Sequence, residues 1–368
     1  MPTTHAPDRP ATDPWSEIVG QDRAVDALRR AVARPVHAYL LVGPRGSGIE
    51  GGARALGAAL VGAAGDPRVA RGRHPDVVEF SPTASEYSIE RDIRGGVLPE
   101  IHAAPVEGPR KCVVLLEAER LNDPSANALL KSIEEPPPRT VVIVVTDSAD
   151  ALPITIRSRC QRIDFGALSD DLVVEALLAE GVSADAARLA ASLAGGRLDR
   201  ARTLAGPLAP LRLAFADVPA RITGHGATAL ELAAGLGAAI DDAIGALEAI
   251  QTRELEEADA EAERLGYAAR TAQAMRRRLV EAQKRSLRRA RAEALLEGIA
   301  AIESVYRDAL APDAPPRNLD RAPLRVGARE AARALEVCAA TRRSFTFNPT
   351  EGLLVEHLLL HLPPVAPA

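Results

Sequence analysis

Lysine is almost missing from this sequence of 368 residues: it occurs at Lys111, Lys131 and Lys284, and arginine supplies nearly all of the positive charge. That skew reads as the codon usage of a GC-rich genome, not as chemistry. Cysteine is scarce as well. Cys112, Cys160 and Cys338 lie far apart, which excludes the C-x-x-C spacing of a zinc site and speaks against a secreted disulfide framework. No apolar run approaches the ~20 residues of a membrane span. Met1–Pro14 is rich in Pro and Thr without an apolar h-region, so a signal peptide is not expected and the cytoplasm is the expected compartment. A net charge of −5 and a pI near 5.9 argue against a strongly basic, self-sufficient nucleic-acid binder. No repeat of fixed period occurs.

What is present is a globular composition, 47% hydrophobic and 26% charged, long enough for two or three domains. From Ile18 to Phe165 short apolar runs alternate with helical patterns. Strands are expected at His37–Val42, Asp76–Phe80, Cys112–Leu116, Val141–Thr146 and Gln161–Phe165. Helices are expected at Gln21–Arg34, Gly48–Val61, Ile89–His102 and Ser125–Glu134. That alternation predicts an α/β domain with a mainly parallel sheet. For the fourth helix, Asp123 is the expected N-cap, Pro124 suits the first position, and Pro136-Pro137-Pro138 ends it. Beyond Gly166 the strand signals stop. Ser169–Ala205 reads as about three short helices broken at Gly181-Val182-Ser183 and Gly195-Gly196. Leu208 onward is helical, with a nearly unbroken stretch from Glu254 to Leu310. That stretch is acidic over Glu254–Glu263 and basic over Arg276–Arg291. Pro312–Pro323 reads as a linker, followed by helices near Ala328–Thr341 and Thr350–Leu362. The expected divisions are 1–14 (flexible), 15–166, 167–206 and 207–368.

The most informative segment is Gly43-Pro44-Arg45-Gly46-Ser47-Gly48-Ile49-Glu50, between a strand and a helix. Its glycines match a P-loop, G-x-x-x-x-G-K-[ST], up to the last two positions. Ile49 stands where a Lys would reach the β/γ-phosphates, and Glu50 where a hydroxyl would hold Mg²⁺. A carboxylate ~4 Å from a phosphate charge costs roughly 4 kcal/mol at an effective dielectric of 20. A Gly-rich turn into a helix is the plain alternative. After strand Cys112–Leu116, the acidic pair that P-loop ATPases use for Mg²⁺ and water is reduced to Leu116-Glu117, and a lone Glu117 also suits capping or solvation. Three positions needed for hydrolysis, 49, 50 and 116, are thus replaced, and no bound nucleotide, cofactor or metal is expected.

Trp15-Ser16-Glu17-Ile18-Val19-Gly20-Gln21, the altered P-loop, Asn127-Ala128-Leu129-Leu130-Lys131-Ser132-Ile133-Glu134-Glu135-Pro136-Pro137 and Ser158-Arg159-Cys160 occur in this order. Over roughly residues 15–205 this combination resembles the clamp-loader branch of AAA+ proteins, and a disabled P-loop beside an intact Ser-Arg-Cys is similar to its delta-prime type. The resemblance implies an AAA+ P-loop domain, a small helical lid and an all-α collar that joins subunits into a ring. It implies a non-catalytic member of the DNA polymerase III holoenzyme. Its partners would be the gamma/tau ATPase subunits, delta, the sliding clamp and primer-template DNA. Arg159 would be an arginine finger acting in trans on a neighbour's ATP, a task suited to a planar, permanently charged guanidinium. A surface arginine paired with an acidic neighbour is the plain alternative. The zinc cysteines that such relatives often carry are absent from Leu60–Arg73, which leaves His74 as a loop or capping residue.

By the same resemblance Thr146 would be a first nucleotide sensor, although a β-branched strand residue fits equally. Leu198 takes the place of the second-sensor arginine, with Arg197 one position early. The basic stretch could face DNA, but it lacks interleaved aromatics and reads more simply as a solvated helix face opposite the acidic stretch. Two rival readings are a nucleotide-binding regulator and a weakly active ATPase. A melting curve separates the regulator from the non-catalytic reading: the isolated chain should show no shift on adding ATP and Mg²⁺, whereas a nucleotide-binding regulator would melt higher.

Overall fold

The computed structural model describes residues 15, 18–83, 86–264, 269–345 and 350–364. Ser16, Glu17 and the Pro-rich residues 1–14 lie outside them. The chain forms two compact units, one of residues up to Gly181 together with Ala194–Arg200, the other of Val182–Leu193 together with Ala201 onward.

The first unit is built on five parallel strands, β1 (Ala38–Val42), β2 (Val77–Phe80), β3 (Lys111–Leu115), β4 (Thr140–Thr146) and β5 (Gln161–Asp164), in the order β2-β3-β4-β1-β5. Every residue of β1, β3 and β4 is buried, as strands covered on both faces must be. The period of two sorts the side chains. Tyr39, Leu41, Cys112, Val114, Ile143 and Val145 enter one core with α1 (Asp22–Ala33) and α2 (Ile49–Val61). Leu40, Val42, Val113, Leu115, Val142 and Val144 enter the opposite core with Ile93, Val97, Ile101, Leu129 and Ile133. The segment Ile89–Val97 is a wide π-helical coil that runs into α3 (Leu98–His102), and Gly96 brings its backbone against the Phe80 ring. This is the α/β P-loop architecture that the motifs imply, with each strand within a residue of its expected span.

One expected detail changes. Helix α4 (Asp123–Glu134) is capped by Asn122, whose Oδ1 accepts from Ser125 N at 3.0 Å. Asn122 has the extended backbone that a cap requires, so Asp123 moves into the first turn beside the helix N-terminus, where a negative charge is also favourable. A single-turn helix, α5 (Ile154–Arg157), leads into β5, and α6 (Asp170–Ala179) starts at Ser169, whose Oγ accepts from Leu172 N.

The loop where zinc cysteines would fall is held by charge. Asp76, fully buried, accepts hydrogen bonds from the N–H groups of Val106, Glu107 and Gly108, each at 2.7 Å. His74 Nδ1 accepts from Asp76 N at 3.1 Å, and Arg68 pairs with both Asp66 and Glu107. Among the described residues no group of His, Cys, Asp or Glu is arranged to hold a metal.

In the second unit, α7 (Ala184–Ala194), α8 (Ala209–Ala216), α9 (Gly226–Arg264), α10 (Ala269–Leu310), α11 (Ala328–Ser344) and α12 (Glu351–His361) are helical. Their core gathers Phe215, Leu236, Ile240, Leu295, Ile302, Tyr306, Cys338 and Leu358. Gly298 is required here, since a Cβ would stand 2.7 Å from the Phe215 ring. The stretch read as nearly unbroken to Leu310 reverses direction instead. Asp241 meets Arg291, Gln251 meets Gln283, and Asp259 meets Arg276. This is the register of two antiparallel helices, α9 and α10. The proline-rich segment Pro312–Pro323 is pinned rather than loose: buried Arg212 holds Asp320 at 2.7 Å and Asn318 at 2.9 Å. No helix among the described residues is long and apolar enough to cross a membrane.

Burial raises the affinity of Asp76 for a proton, yet its three backbone donors and Lys111 more than offset this and hold the carboxyl below the usual carboxylate range. Its stabilisation is therefore present at neutral pH and is lost as pH falls below about 4. Asp76→Ala should cost about 2–4 kcal/mol by leaving buried N–H donors unpaired, measured as a lower Tm in thermal unfolding at pH 7. The deficit should shrink in acid.

Candidate nucleotide-type site and the Ser-Arg-Cys arginine

The loop after β1 keeps the shape of a phosphate cradle. Gly43 N donates to Thr146 O at 3.0 Å and Ser47 N to Pro44 O at 3.1 Å, which closes the turn. Gly46 and Gly48 sit at φ 74° and 92°, in the left-handed region that side chains rarely adopt. Helix α2 starts directly after Gly48, so its first N–H groups face the loop, the usual arrangement for holding an anion.

One apolar and two acidic side chains stand around this cradle. Ile49 is 1% exposed and belongs to the core beneath α1 and α2, so it points away from where a phosphate would lie. Glu50 lies in the first turn of α2. Asp199 occupies the space over the loop: a Cβ on Gly46 would stand 1.6 Å from its Oδ1. The chain holds it there, because Leu198 N donates to Gly46 O at 3.0 Å and Arg197 pairs with Asp199 at 3.0 Å. Leu198, expected in the second-sensor position, thus contributes its backbone to the loop.

The end of β3 is answered by internal charge as well. Glu117 has a left-handed backbone, φ 52°, and its buried carboxylate receives Arg45 at 3.2 Å and Arg120 at 2.8 Å. Arg45 comes from the cradle itself, so the loop and the end of β3 are tied by an ion pair. A partly buried pair of this kind, fixed by a second arginine, is worth more than an exposed one. Leu116 offers only its backbone: its carbonyl oxygen lies 2.6 Å from the Tyr87 hydroxyl, which also lies 2.9 Å from Phe80 O. Burial, reinforced by the charge of Glu117, raises the Tyr87 phenol well above its ordinary value and keeps it protonated. Thr146, at the end of β4, places Oγ1 3.0 Å from Glu119 Oε2 and 3.0 Å from Ser148 O. The candidate sensor is therefore engaged by a carboxylate of its own chain.

The structure brings Gly43, Gly48, Glu117 and Thr146 to one end of the sheet. Sequence reasoning missed Arg45, Glu119 and Asp199. Arg45 carried a signal, as the one charged residue within the glycine loop; the contact of Asp199 with position 46 carried none.

Arg159 lies outside this cradle. It follows α5, and its Nη1 donates to Thr155 O at 2.8 Å and to Ser158 Oγ at 3.4 Å. Its Nε and Nη2 both reach Glu134 Oε1. Glu134 ends α4 within the segment Asn127–Pro137, so two of the four diagnostic segments meet in one ion pair. The Arg159 side chain remains 34% exposed. Ser158 caps nothing beyond this turn, and the Cys160 thiol is pushed up to about 12 by burial, which makes it a packing residue rather than a nucleophile or metal ligand.

Residues 20–169 match the protein family described as DNA polymerase III, delta subunit. The delta' subunit of Pseudomonas aeruginosa is 35% identical over 161 residues, covering 40% of this chain and 44% of that protein. The delta' subunit of Bacillus subtilis is 29% identical over 196 residues, covering 49% and 58%. The tau subunit of Escherichia coli is 34% identical over 173 residues, covering 44% and 26%. The matches therefore span between about a quarter and three fifths of the length of these relatives. A Thermotoga maritima structure titled as a DNA polymerase III, gamma subunit-related protein aligns with 91% of this chain and 97% of its own, at 18% identity and a TM-score of 0.48. Over residues 20–169, therefore, this chain is similar to the clamp-loader subunits of DNA polymerase III, delta' among them.

Proposed function

We propose that this chain is a non-catalytic clamp-loader subunit of the DNA polymerase III holoenzyme. It acts in DNA replication as a stator and lends Arg159 to the ATP site of a neighbouring subunit. The observation that carries the reading is the contrast between two places on one unit. At the cradle, Asp199 and the Arg45–Glu117 pair stand where a nucleotide and its metal would need room. At Ser158-Arg159-Cys160, a guanidinium is held on two sides and still partly exposed. The partners in this reading are the gamma/tau ATPase subunits, delta, the sliding clamp and primer-template DNA. Residues 167–206 serve as a lid without a nucleotide to sense, and 207–368 as the collar.

The chemistry follows from the geometry. Thr155 O and Glu134 orient the guanidinium of Arg159 before any partner arrives, which lowers the ordering cost of docking. A γ-phosphate approaching from outside offers more charge than a single carboxylate and competes with Glu134. In the transition state the planar donors stabilise charge spreading over the equatorial oxygens. Since Arg159 and the cradle are separate, the chain can serve a neighbour's site while its own stays closed. A nucleotide-binding regulator fits less well, because Ile49 is committed to the core and Asp199 adds negative charge where a phosphate would sit.

Two outcomes are expected. In a complex reconstituted with gamma/tau, delta, clamp and primed DNA, Arg159→Ala should slow ATP turnover at least tenfold while size-exclusion chromatography shows an intact assembly; unchanged turnover would sink the finger role. In the isolated chain, restoring Ile49→Lys and Glu50→Thr should still give no binding in a fluorescent-nucleotide titration. Adding Asp199→Ala and Leu116→Asp should be needed before any affinity appears.

A further inference from the structure

Arg159 is engaged at every nitrogen of its guanidinium. Nη1 donates to Thr155 O at 2.8 Å and to Ser158 Oγ at 3.4 Å, while Nε and Nη2 both turn to Glu134 Oε1. A guanidinium binds a phosphate best through two parallel N–H groups on one edge. Here Glu134 closes the Nε–Nη2 edge, and the Nη1–Nη2 edge is shared between Glu134 and the Thr155 carbonyl. Neither edge is whole for an incoming pair of phosphate oxygens.

The carboxylate that closes them stands in a poor place for its charge. Glu134 is the last residue of α4, where the carbonyl end of a helix favours a cation. Leu129 and Ile133 are buried and anchor this end of α4 in the core, so the position of Glu134 is fixed. Arg159 is the cation that answers it. The pair also differs from its counterpart at the cradle. There Glu117 has a side chain only 8% exposed and is met by two arginines. Glu134 is 45% exposed and Arg159 34%. Water screens the second pair and reaches both of its members, so it is the one that opens readily.

We propose that Glu134 is a brake on Arg159. It holds the guanidinium in a waiting position with its phosphate-binding edges closed, and the arginine acts on a neighbour's nucleotide only after leaving Glu134. This inference rests on the finger role proposed above. Glu134 therefore orders the side chain and withholds it at once. An empty neighbouring site leaves Arg159 on Glu134, whereas a γ-phosphate, with charge spreading over its oxygens, draws it away. The brake ties release of the finger to an occupied neighbouring site, and it slows turnover wherever docking is incomplete.

The test is steady-state ATP turnover by the complex reconstituted with gamma/tau and delta, in the absence of clamp and DNA. Glu134→Gln, Glu134→Ala, Arg159→Ala and the double variant of Glu134→Gln with Arg159→Ala are compared, and size-exclusion chromatography confirms assembly. Glutamine keeps the size and an acceptor oxygen of Glu134 but not its charge. Glu134→Gln should raise turnover about threefold, the scale expected on losing a weak, half-exposed ion pair. Glu134→Ala, which also removes the acceptor, should raise it at least as far. The double variant should be as slow as Arg159→Ala alone. Unchanged or lowered turnover in both Glu134 variants would overturn the brake, the lowered case marking Glu134 as a positioning residue only. A double variant faster than Arg159→Ala would overturn it too, because the effect of Glu134 would then bypass Arg159. If Arg159→Ala itself leaves turnover unchanged, the finger role fails and the brake with it, so the two failures are told apart.

Discussion

A glycine loop that opens a helix gathers backbone N–H groups around a small concavity, and that concavity favours negative charge. In an ATPase the charge arrives with the nucleotide and is balanced by a lysine and a metal. Here the balance is internal: Asp199 fills the space above Gly46, and Arg45 leaves the loop to meet Glu117. The arrangement of the whole sheet end depends on this exchange. It fixes the left-handed turn at Glu117, leaves Leu116 to the Tyr87 hydroxyl, and turns Thr146 toward Glu119. With its charges answered from within, the cradle can hold its shape with no ligand to organise it.

That rigidity has an energetic meaning for an assembly. A ligand shifts a conformational equilibrium only by its differential affinity for the two states. On the reading proposed above, a subunit whose own cradle is closed contributes no such term, and movement during a nucleotide cycle would originate in its neighbours. The Glu134–Arg159 pair belongs to the same logic. It joins the end of α4 to the turn before β5, and so ties the Arg159 side chain to a helix packed on the sheet.

The sheet was legible because its strands are short, apolar and bounded by glycine and proline, and each observed strand lies within a residue of its expected span. The period of two even sorts β1 correctly, Tyr39 and Leu41 to one face and Leu40 and Val42 to the other. The departures from a P-loop at positions 49, 50 and 116 were legible, because a P-loop has fixed requirements at fixed offsets. The contacts made around them were not. Asp199 is 153 residues from Gly46, and nothing local tells an aspartate that it will sit against a distant glycine. The cap at Asn122 was misjudged by one place because Asn122 and Asp123 are both good caps, and only the backbone chooses between them. The reversal between α9 and α10 was obscured by helix-forming residues on both sides, although the change from acidic to basic charge marked where the two arms would face each other.

The loop around Asp76 has a consequence of a different kind. A zinc module completes its fold only when the cell delivers an ion and keeps the thiols reduced. The segment from Asp66 to Gly108 is closed by carboxylates meeting guanidinium and backbone N–H groups of the same chain. Every group that closes it is present as soon as translation is finished. No cysteine lies between Asp66 and Gly108, so thiol oxidation finds no group to act on within this segment.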